Sequence, residues 1–454
     1  MNNSTLNLLN KHFSLNPQTA NILIVGLGIT GFSIARYLHR HGFQFSVIDS
    51  RENPPNAEEL SQLSPTIQLT AGAFQATNFT TATHLIVSPG ISLQQPLIAQ
   101  ALQRGAILVS DVDIFACATT APIVAITGAN GKSTVTTMVG EMGKAAGKIT
   151  AVGGNLGTPM LDLLADEVEL YVLELSSFQL ERSHVLNAAA ATVLNVTADH
   201  LDRHTDMADY AAQKQKVFRG DGVMILNADD AYVSAMQTSE RKNYFFSIQQ
   251  FIGFHIAPRD GVEWLVNEET DFMPCADLPL EGRHNQANAL AALALGTVVG
   301  LEKEAMCTAL RSFVGLAHRM QKVAVKNGVT WVNDSKATNI GACIAALQGY
   351  NDKVILIAGG DGKGADMREL RVAVAQKTKA VILMGKDAPL LEQALLGIVP
   401  LYLAKYIDDA VLCAANVAKT GDTVLLSPAC ASLDQYKNYA ERGHKFAAAV
   451  MALD

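Results

Sequence analysis

The stretch Ile123–Thr134 reads IVAITGANGKST. Its first four residues form an unbroken apolar run, which predicts a strand buried on both faces, and helical patterning follows from Thr134 to about Ala146. The glycines between the two elements let successive backbone N–H groups point inward, where they can surround an anion. A strand, a glycine-rich loop and a helix in this order predict an α/β fold with a phosphate-binding loop.

The side chains of this loop favour a nucleoside triphosphate as the ligand. Lys132 can reach the β and γ phosphates, and Ser133 is placed to ligate a Mg²⁺ ion that bridges phosphate oxygens. The loop has the shorter form G-x-x-G-K-S-T, because Ile126 stands where the longer phosphate-loop motif has glycine. The alternative interpretation is a βα turn without a ligand.

Short runs of Val, Ile and Leu recur along the chain, each followed by helical patterning. Apolar runs without alternation are typical of strands in parallel sheets that helices cover on both faces. We therefore predict an α/β protein whose ligands bind at the carboxyl ends of the strands. The predicted strands are Ile22–Val25, Phe45–Ile48, Leu85–Val87, Ile123–Ile126, Tyr171–Leu175, Thr192–Val196, Val223–Leu226, Val354–Ala358, Val381–Met384 and Val424–Leu426.

The length of 454 residues predicts about three domains. A complete βα series fills residues 20–110, and a new strand then opens the phosphate loop. A helical region ends at Phe313–Met320, and strand-like segments follow it. We predict boundaries near residues 111 and 315. The predicted domains are an N-terminal Rossmann-like parallel sheet (1–111), a central P-loop mononucleotide-binding ATPase domain (112–315) and a C-terminal Rossmann-like α/β domain (316–454).

The composition excludes several function classes. Lys and Arg number 35 against 43 Asp and Glu, so the net charge is −8 and a broad surface for nucleic acid is not expected. The longest apolar stretch, Ala289–Gly300, is too short to span a bilayer, and the N-terminus lacks the pattern of a signal peptide. The six cysteines form no C-x-x-C pair. We therefore expect a cytoplasmic protein without a disulfide framework or a zinc ribbon.

A second glycine-rich turn lies near the N-terminus. Gly26, Gly28 and Gly31 follow the first predicted strand in the spacing G-x-G-x-x-G, and Asp49 ends the next strand. The glycines allow a diphosphate to approach a helix N-terminus closely, and Asp49 can accept a hydrogen bond from a ribose hydroxyl. The pattern fits NAD(P) or another diphosphate ligand such as a UDP-sugar. A turn without a ligand is the third alternative.

Carboxylates and histidines follow two strands of the central region. Glu174 ends one strand and is a candidate to hold Mg²⁺ or its water, although a capping role fits its position equally well. After another strand come Asp199, His200, Asp202 and His204. Such a cluster at the carboxyl end of a parallel strand favours a functional site. Lys214 lies on a predicted helix, and its own pattern predicts a solvated lysine.

The C-terminal segment carries three further polar clusters, each at the end of a predicted strand or at the predicted domain junction. They are His318-Arg319, Asn333–Asn339 and Gly359–Gly364. Arg319 can stabilise phosphoryl charge, and Lys336 and Lys363 can hold a substrate carboxylate. Each cluster alone is compatible with a surface loop, but three clusters in such positions favour a ligand site.

Together these motifs resemble the Mur ligase family of ATP-dependent amino-acid ligases, over nearly the whole chain. The resemblance is carried by TGANGKST (127–134), GGNLGTP (153–159), ELSSFQLE (174–181), NVTADHLDRH (195–204), EGRHNQANA (281–289), AHR (317–319), NDSKATN (333–339) and GGDGKG (359–364). The stretch LSPACASLDQY (426–436) is similar to the branch of the family that adds D-glutamate. The D-N-P-R motif of the diaminopimelate-adding branch does not occur in the sequence.

The resemblance implies a two-step reaction in peptidoglycan precursor synthesis. The carboxylate of UDP-N-acetylmuramoyl-L-alanine would be phosphorylated by ATP, and the amine of D-glutamate would then displace phosphate from the acyl phosphate. ATP and Mg²⁺ are the implied cofactors, and the two substrates are the implied partners. We expect a cytoplasmic monomer that binds neither nucleic acid nor membranes. The N-terminal glycine turn would serve the UDP-sugar.

The resemblance also implies roles for individual residues. The UDP substrate would be bound by Thr30, Asp49, Ser50, Arg51, Ser88, Gly90 and Asn155. ATP would be bound by Gly128, Asn130, Gly131, Lys132, Ser133, Thr134, Asn288, Arg319 and Asp334. D-Glutamate would be bound by Lys336, Thr338, Lys363, Ser432, Leu433 and Tyr439, the last in place of a more usual Phe. The metal ligands would be Ser133, Glu174, His200 and a carbamylated Lys214, and the catalytic residues would be Lys132, His200 and Lys214.

Other function classes stay open from the residues alone. A nicotinamide oxidoreductase explains the N-terminal glycine turn but leaves TGANGKST without a role. A non-catalytic nucleotide-binding or regulatory module explains the phosphate loop without chemistry. Within the enzymes, a folylpolyglutamate-like ligase is the runner-up.

Overall fold

The computed structural model describes residues 3–200, 203–280 and 282–453. The first sheet contains β1 (Ile22–Val25), β2 (Phe45–Asp49), β3 (Leu69–Ala71), β4 (His84–Val87) and β5 (Ile107–Leu108). Its order is β3-β2-β1-β4-β5, and all of its strand pairs are parallel. All four residues of the central β1 are buried, which is why this strand is an unbroken apolar run. The prediction of a Rossmann-like parallel sheet is confirmed here.

The second sheet is also parallel throughout. It contains β6 (Ile123–Thr127), β7 (Thr150–Gly154), β8 (Leu170–Glu174), β9 (Ala190–Val193), β10 (Val223–Asn227) and β11 (Asn243–Phe246). The order is β11-β10-β9-β6-β8-β7, so the strand that enters the phosphate loop lies between β9 and β8. The carboxyl ends of these three strands therefore lie side by side, and the residues that follow them share one edge of the sheet.

A small antiparallel sheet, which the sequence analysis did not predict, follows the second sheet along the chain. Its strands are β12 (His255–Arg259), β13 (Val262–Val266) and β14 (Asp271–Pro274). The first turn is made by Asp260 and Gly261, whose φ angles are +50° and +79°. An Asp-Gly pair with positive φ at both residues is typical of a two-residue hairpin. The sequence contains this hairpin pattern at Asp260-Gly261.

The fourth sheet has one antiparallel edge strand and is otherwise parallel. It contains β15 (Gln321–Lys326), β16 (Val329–Asn333), β17 (Val354–Gly359), β18 (Thr378–Met384), β19 (Leu401–Leu403) and β20 (Thr423–Leu426). The order is β15-β16-β20-β17-β18-β19, and only the β15–β16 pair is antiparallel. All six residues of β17 are buried. Leu356 and Ala358 face one apolar cluster and Ile355 and Ile357 face another, so helices cover both faces.

The helices connect these strands. The first two sheets are accompanied by α1 (Asn3–Phe13), α2 (Ile29–Arg40), α3 (Ala57–Leu63), α4 (Ala76–Phe79), α5 (Pro96–Gln103), α6 (Asp111–Ala118), α7 (Lys132–Ala145), α8 (Ser177–Glu181), α9 (Met207–Gln215), α10 (Ala231–Ser234), α11 (Arg283–Val298) and α12 (Lys303–Ser312). The fourth sheet is accompanied by α13 (Ile340–Gln348), α14 (Arg371–Lys377), α15 (Ala388–Leu395), α16 (Ile407–Val417) and α17 (Tyr439–Met451). Among the described residues, none of these helices is both long enough and apolar enough to cross a membrane.

The chain gathers into two compact units. The first consists of Met1–Asn195, Ala211–Cys275 and Asn288–Arg311, and it contains the first three sheets. The second consists of Val196–Tyr210, Ala276–Ala287 and Ser312–Asp454, and it contains the fourth sheet. The division into three domains at residues 111 and 315 stays a prediction.

Candidate functional site

The phosphate loop in the first unit connects the end of β6 to the start of α7. Two of its glycines have positive φ, +153° at Gly128 and +83° at Gly131, a conformation that side chains with a Cβ rarely adopt. At Gly131 a Cβ atom would also lie 2.5 Å from Asn288 Oδ1. The left-handed turn at Gly131 lets α7 begin at Lys132, earlier than the predicted start at Thr134. Three predicted ATP residues, Gly128, Gly131 and Asn288, therefore lie at one loop.

Asn195 braces this loop, and the sequence analysis gave it no role. It follows β9, the neighbour of β6 in the sheet. Its Oδ1 accepts a hydrogen bond from the Asn130 N–H at 2.8 Å, and its Nδ2 donates to the Asn130 carbonyl at 3.1 Å. The Asn195 carbonyl also accepts from the Ala129 N–H at 3.0 Å. One feature of the sequence could have indicated this role: Asn195 is the first polar residue after the strand that neighbours β6.

Two lysine side chains converge on the same part of the loop. Lys132 Nζ donates to the carbonyls of Gly128 and Ala129, at 2.9 Å in both cases. Lys214 Nζ donates to the Gly128 carbonyl at 2.8 Å. Lys214 is 1% exposed, so the interpretation of a solvated lysine was wrong: its position at the end of α9 carries it onto the phosphate loop. Two ammonium groups at one glycine-rich loop suit a polyanionic ligand.

A buried carboxylate lies between two polar side chains in the first unit. Glu174, at the end of β8, is 1% exposed. Its Oε2 accepts from Ser133 Oγ at 2.6 Å, and its Oε1 accepts from Asn155 Nδ2 at 2.7 Å. Gly154 brings the backbone close, because a Cβ there would lie 2.5 Å from the Glu174 carbonyl oxygen. Three residues that the sequence analysis selected from separate motifs are therefore in direct contact.

The chemistry of this group fits a hard divalent cation. Hydroxyl and carboxylate oxygens are the ligands that Mg²⁺ prefers, and Mg²⁺ usually takes only one or two of them from the protein, with phosphate oxygens and waters completing the shell. Within the described ranges, no group of three or more His, Cys, Asp or Glu side chains is arranged to hold a metal ion. Of the other two predicted metal ligands, Lys214 lies at the phosphate loop and His200 belongs to the second unit.

The N-terminal glycine turn is a second candidate ligand site of the first unit. At Gly31 a Cβ would lie 1.9 Å from the Gly26 carbonyl oxygen, so glycine is required for the helix to pack on the turn. At Gly28 a Cβ would meet nothing within 4 Å, which leaves this side of the turn open. Ser88 Oγ donates to the Gly26 carbonyl at 2.9 Å and joins the two loops. Thr30 lies in the first turn of the following helix, α2.

The Asp49 carboxylate holds this glycine turn together. It is 2% exposed, and its Oδ2 accepts from the Leu27 N–H at 2.7 Å. Arg51 donates to it from its backbone N–H at 2.9 Å and from its guanidinium at 2.8 and 2.6 Å. Burial opposes ionisation, but the hydrogen bonds from Arg51 and Leu27 hold the pKa of Asp49 below its usual value. Both oxygens of Asp49 thus organise the turn, while Ser50 and Gly90 are exposed at its rim.

In the second unit, Asp199 lies at the centre of a polar cluster. Its carboxylate forms an ion pair with Lys363 and accepts from Asn339 Nδ2 at 3.1 Å. His200 Nε2 lies 3.7 Å from Asp199 Oδ2. His200 and Lys363 have φ angles of +57° and +53°, which is uncommon for residues with a side chain and often marks a functional position. Asp202, which the sequence analysis grouped with these residues, lies outside the described residues.

The predicted amino-acid ligands lie on three loops of the second unit and at the start of α17. Lys336 Nζ lies over the Tyr439 ring, 3.8 Å from its centroid, in a cation–π contact. Ser432 is buried, whereas the Leu433 side chain beside it is 72% exposed. Thr338 is half-buried on the loop of Lys336. The Leu433 side chain is therefore an apolar group that is exposed to water at this edge of the fourth sheet.

Arg442 joins these three loops, and no sequence pattern singled it out. It is fully buried in α17 and donates from Nε to Ser335 Oγ at 3.0 Å. Its Nη2 donates to the carbonyls of Ser335 and Cys430, at 2.9 and 3.1 Å, and its Nη1 to that of Gly359 at 3.3 Å. Burial lowers the pKa of Arg442 to about 10. The loops that carry Lys336, Lys363 and Ser432 therefore share one buried guanidinium.

Asp334 is a buried carboxyl at the end of β16. Its Oδ2 accepts from Ser427 Oγ at 2.8 Å, and its Oδ1 accepts from the Met320 N–H at 3.3 Å. Burial raises the pKa of Asp334 to about 7, in spite of these hydrogen bonds. The nearby Arg319, which is half-buried, favours the charged form of Asp334 but does not outweigh burial.

Asp334→Asn is expected to stabilise the protein at alkaline pH. In the unfolded chain the carboxyl has its ordinary pKa of about 3.8, whereas the folded protein holds the proton up to a pH of about 7. Across that window wild-type stability falls as the pH rises, by up to about 4 kcal/mol. Asparagine does not ionise, so the melting temperature of the variant should exceed that of the wild type at pH 8 and approach it at pH 4.

A control of opposite sign is available in the same unit. Burial opposes ionisation of Asp422, but the hydrogen bonds from the Lys379 ammonium and the Lys419 N–H, together with the charges of both lysines, lower its pKa. Its charged form therefore stabilises the fold above a pH of about 4. Asp422→Asn should lower the melting temperature at neutral pH and lose this effect in acid. Equal responses of the two variants to pH would contradict the assigned protonation of Asp334.

Models of known protein families match three consecutive segments of the chain. The Mur ligase MurD-like N-terminal domain matches residues 20–110, and the Mur ligase middle domain matches residues 126–296. The Mur ligase glutamate ligase domain matches residues 318–430. Together these matches cover most of the chain.

Two bacterial relatives are similar over nearly their full length. The UDP-N-acetylmuramoylalanine–D-glutamate ligase of Methylococcus capsulatus is 52% identical over 434 residues, which cover 95% of each chain. The ligase of the same name from Pseudomonas aeruginosa is 50% identical over 437 residues, covering 95% of this chain and 98% of the relative. Among solved structures, the UDP-N-acetylmuramate-alanine ligase of Thermotoga maritima matches with a TM-score of 0.62 at 18% identity, covering 95% of this chain and 99% of that chain. The last comparison shows a shared fold.

Proposed function

The chain belongs to the Mur ligase family, and we propose that it is an ATP-dependent ligase that joins D-glutamate to UDP-N-acetylmuramoyl-L-alanine in peptidoglycan precursor synthesis. The observation that carries this proposal is the identity of about half of all residues, along 95% of the chain, with ligases that bear this name. The phosphate loop with Lys132, Ser133 and Glu174 supports the ATP-dependent step. A nicotinamide oxidoreductase would give the phosphate loop and these three side chains no role.

The first chemical step transfers a phosphoryl group. A carboxylate oxygen of the substrate's alanine attacks the γ-phosphorus of ATP, the bond from that phosphorus to the β–γ bridging oxygen breaks, and ADP leaves. Catalysis of such a transfer depends on positioning and on neutralising charge. Lys132 is proposed to neutralise the phosphates, together with the N–H groups of the loop that Asn195 braces. Ser133 and Glu174 would hold Mg²⁺, which when bound supplies further positive charge.

The second step forms the amide bond. The amine nitrogen of D-glutamate attacks the acyl carbon, inorganic phosphate leaves with its electron pair, and the nitrogen loses a proton. Lys336, Thr338, Lys363, Ser432, Leu433 and Tyr439 are the proposed ligands of D-glutamate. Two cations, Lys336 and Lys363, are chemically matched to the two carboxylates of the amino acid. The contact of Arg442 with all three loops supports a common role for them.

The remaining assignments are also proposals. For ATP they are Gly128, Asn130, Gly131, Thr134, Asn288, Arg319 and Asp334, and for the UDP-sugar Thr30, Asp49, Ser50, Arg51, Ser88, Gly90 and Asn155. His200 and a carbamylated Lys214 are proposed metal ligands. We further propose a cytoplasmic monomer that binds no nucleic acid, which the net charge of −8 supports.

The function is tested by following ADP and phosphate release with a panel of acceptors. Release should require ATP, UDP-N-acetylmuramoyl-L-alanine and D-glutamate together, and mass spectrometry should show the amide product. L-Glutamate, D-aspartate and a folate substrate serve as comparisons. Equal turnover with L-glutamate, or turnover with the folate substrate instead, would contradict the proposal.

Tyr439 provides a test of the amino-acid pocket. Because its ring face contacts the Lys336 ammonium, Tyr439→Phe should leave the KM for D-glutamate within about twofold of the wild type, whereas Tyr439→Leu should raise it about fivefold. Steady-state kinetics with D-glutamate varied would show this. If Tyr439→Phe raised the KM as much as Tyr439→Leu, the hydroxyl and not the ring would be the functional group.

A further inference from the structure

Arg182 is buried in a position that the proposed reaction does not use. It follows α8, the short helix that begins shortly after Glu174, and it is 1% exposed. A guanidinium so far from water is costly unless its N–H groups are hydrogen-bonded. The other fully buried arginine, Arg442, donates hydrogen bonds to the loops that carry the proposed D-glutamate ligands. Arg182 likewise donates to backbone groups that are distant along the chain.

The partners of Arg182 are backbone carbonyls of one loop of the first sheet. Its Nη1 donates to the carbonyls of Val87 and Ser88, at 2.8 Å each, and its Nη2 donates to that of Ile91 at 3.2 Å. Val87 is the last residue of β4, and Ser88 and Ile91 lie in the loop that follows it, about ninety residues away from Arg182 along the chain. Glu181 Oε2 lies 3.2 Å from Nη2 and forms an ion pair with Arg182.

The loop after β4 is also attached to the N-terminal glycine turn. Ser88 Oγ donates to the Gly26 carbonyl at 2.9 Å, and a Cβ at Gly26 would lie 2.7 Å from the Ile91 side chain. The Ile91 N–H closes the loop on the Ser88 carbonyl at 2.9 Å. A displacement of residues 88–91 would therefore disturb both the loop after β4 and the N-terminal glycine turn.

The helix that carries Arg182 is itself firmly held. Ser176 and Gln179 form a capping box at its start. Gln179 Nε2 donates to Asp111 Oδ2 at 3.3 Å. Burial raises the pKa of Asp111, although the nearby Arg182 guanidinium favours its charged form. The guanidinium is thus presented from a fixed element that starts three residues after Glu174 along the chain.

We propose that Arg182 is a positioning residue that fixes the Ser88–Ile91 loop for binding of the UDP moiety. The proposal rests on the proposed function, which assigns Ser88 and Gly90 to the UDP-sugar. Three carbonyls, one at the end of β4 and two in the loop, match the rigid fork of a guanidinium, which a lysine with a single ammonium reproduces only in part. Arg182 acts through the loop and needs no contact with the substrate.

The test compares Arg182→Met and Arg182→Lys with the wild type. Arg182→Met should raise the KM for UDP-N-acetylmuramoyl-L-alanine about tenfold, while kcat and the KM for ATP stay within about twofold, because the phosphate loop keeps all its contacts. Arg182→Lys should give an intermediate KM at a melting temperature close to that of the wild type. Calorimetric titration with UDP should show the same order of affinities without turnover.

Arg219→Met is the matched control. Arg219 is a half-buried arginine that donates to the carbonyl of Ser183, next to Arg182, and contributes no hydrogen bond to the Ser88–Ile91 loop in the described structure. Arg219→Met should leave the KM for the UDP substrate unchanged. If both KM values and kcat of Arg182→Met changed in step with its melting temperature, the role would be structural only and the proposal overturned.

Arg182→Lys, the more conservative variant, provides a second test of the proposal. If Arg182→Met does not fold, an unchanged UDP affinity in a folded Arg182→Lys overturns the proposal, and a reduced affinity supports it. If the proposed function is wrong, the wild type will release no phosphate with these substrates. Calorimetric titration with UDP would still show whether the Arg182 variants differ from the wild type in their affinity for UDP.

Discussion

Lys132→Ala is expected to lower kcat for phosphate release about a thousandfold. Lys132 is the first residue of α7, and its ammonium donates hydrogen bonds to the carbonyls of Gly128 and Ala129. Both carbonyls belong to the loop that is proposed to hold the ATP phosphates. Negative charge shifts onto the departing ADP during phosphoryl transfer, and a fixed cation stabilises it more in the transition state than in the bound substrate. The loss should therefore fall on kcat more than on the KM for D-glutamate.

The same helix offers a matched control. Lys144 lies near the end of α7, is about half exposed and pairs with Glu141 at 2.8 Å. Lys144→Ala should leave kcat unchanged, because surface ion pairs contribute little and this one is distant along the helix from the loop. Steady-state assays and thermal melts of both variants would check the prediction. A folded Lys132→Ala that kept a tenth of the wild-type kcat would contradict the assigned role.

Lys214→Ala is expected to lower activity by at least about a hundredfold. The side chain is fully buried and contacts the Gly128 carbonyl, so alanine removes both a hydrogen bond to the phosphate loop and a proposed metal ligand. In the proposed carbamylation the neutral amine attacks the carbon of CO₂ and one proton is released, which converts a cation into a carboxylate-like group. Lys214→Arg keeps a positive charge and should be as inactive as Lys214→Ala.

The carbamate can be observed without an activity assay. With ¹³C-bicarbonate, a carbamate carbon signal should appear in the wild type and be lost in Lys214→Ala. Lys216→Ala is the control, because Lys216 is a nearby lysine that donates to the Glu181 carbonyl at 2.8 Å. It should keep both the signal and the activity. Full activity of Lys214→Ala, with no effect of bicarbonate on the wild type, would exclude carbamylation.

The sequence predicted those parts of the site whose chemistry is local. The phosphate loop is a continuous segment, so the glycines at 128 and 131, Lys132 and Ser133 were recognisable from their spacing. Glu174 was recognisable because a charged residue ends a buried apolar strand. The direct contact between Ser133, Glu174 and Asn155 follows from the strand order, which places β8 between β6 and β7.

Buried polar residues with partners far along the chain were not predictable. Lys214 has the sequence pattern of a solvated helix residue, and only the fold shows that its amine is buried against Gly128. Arg182 and Arg442 belong to no motif that assigned them a role, yet each donates to carbonyls of distant loops. Such contacts depend on which loops the sheets bring together, and a backbone carbonyl has no signature in the sequence.

Periodicity and loop composition therefore determined the fold class, the parallel sheets and the phosphate loop, because these depend on neighbours along the chain. The burial of Lys214, the brace of Asn195 and the two buried arginines were decided by tertiary structure. The physical reason is that the cost of burying a polar or charged group is compensated only by partners in three dimensions. One chain segment specifies a strand or a turn, whereas the environment of a side chain is set by all the segments that surround it.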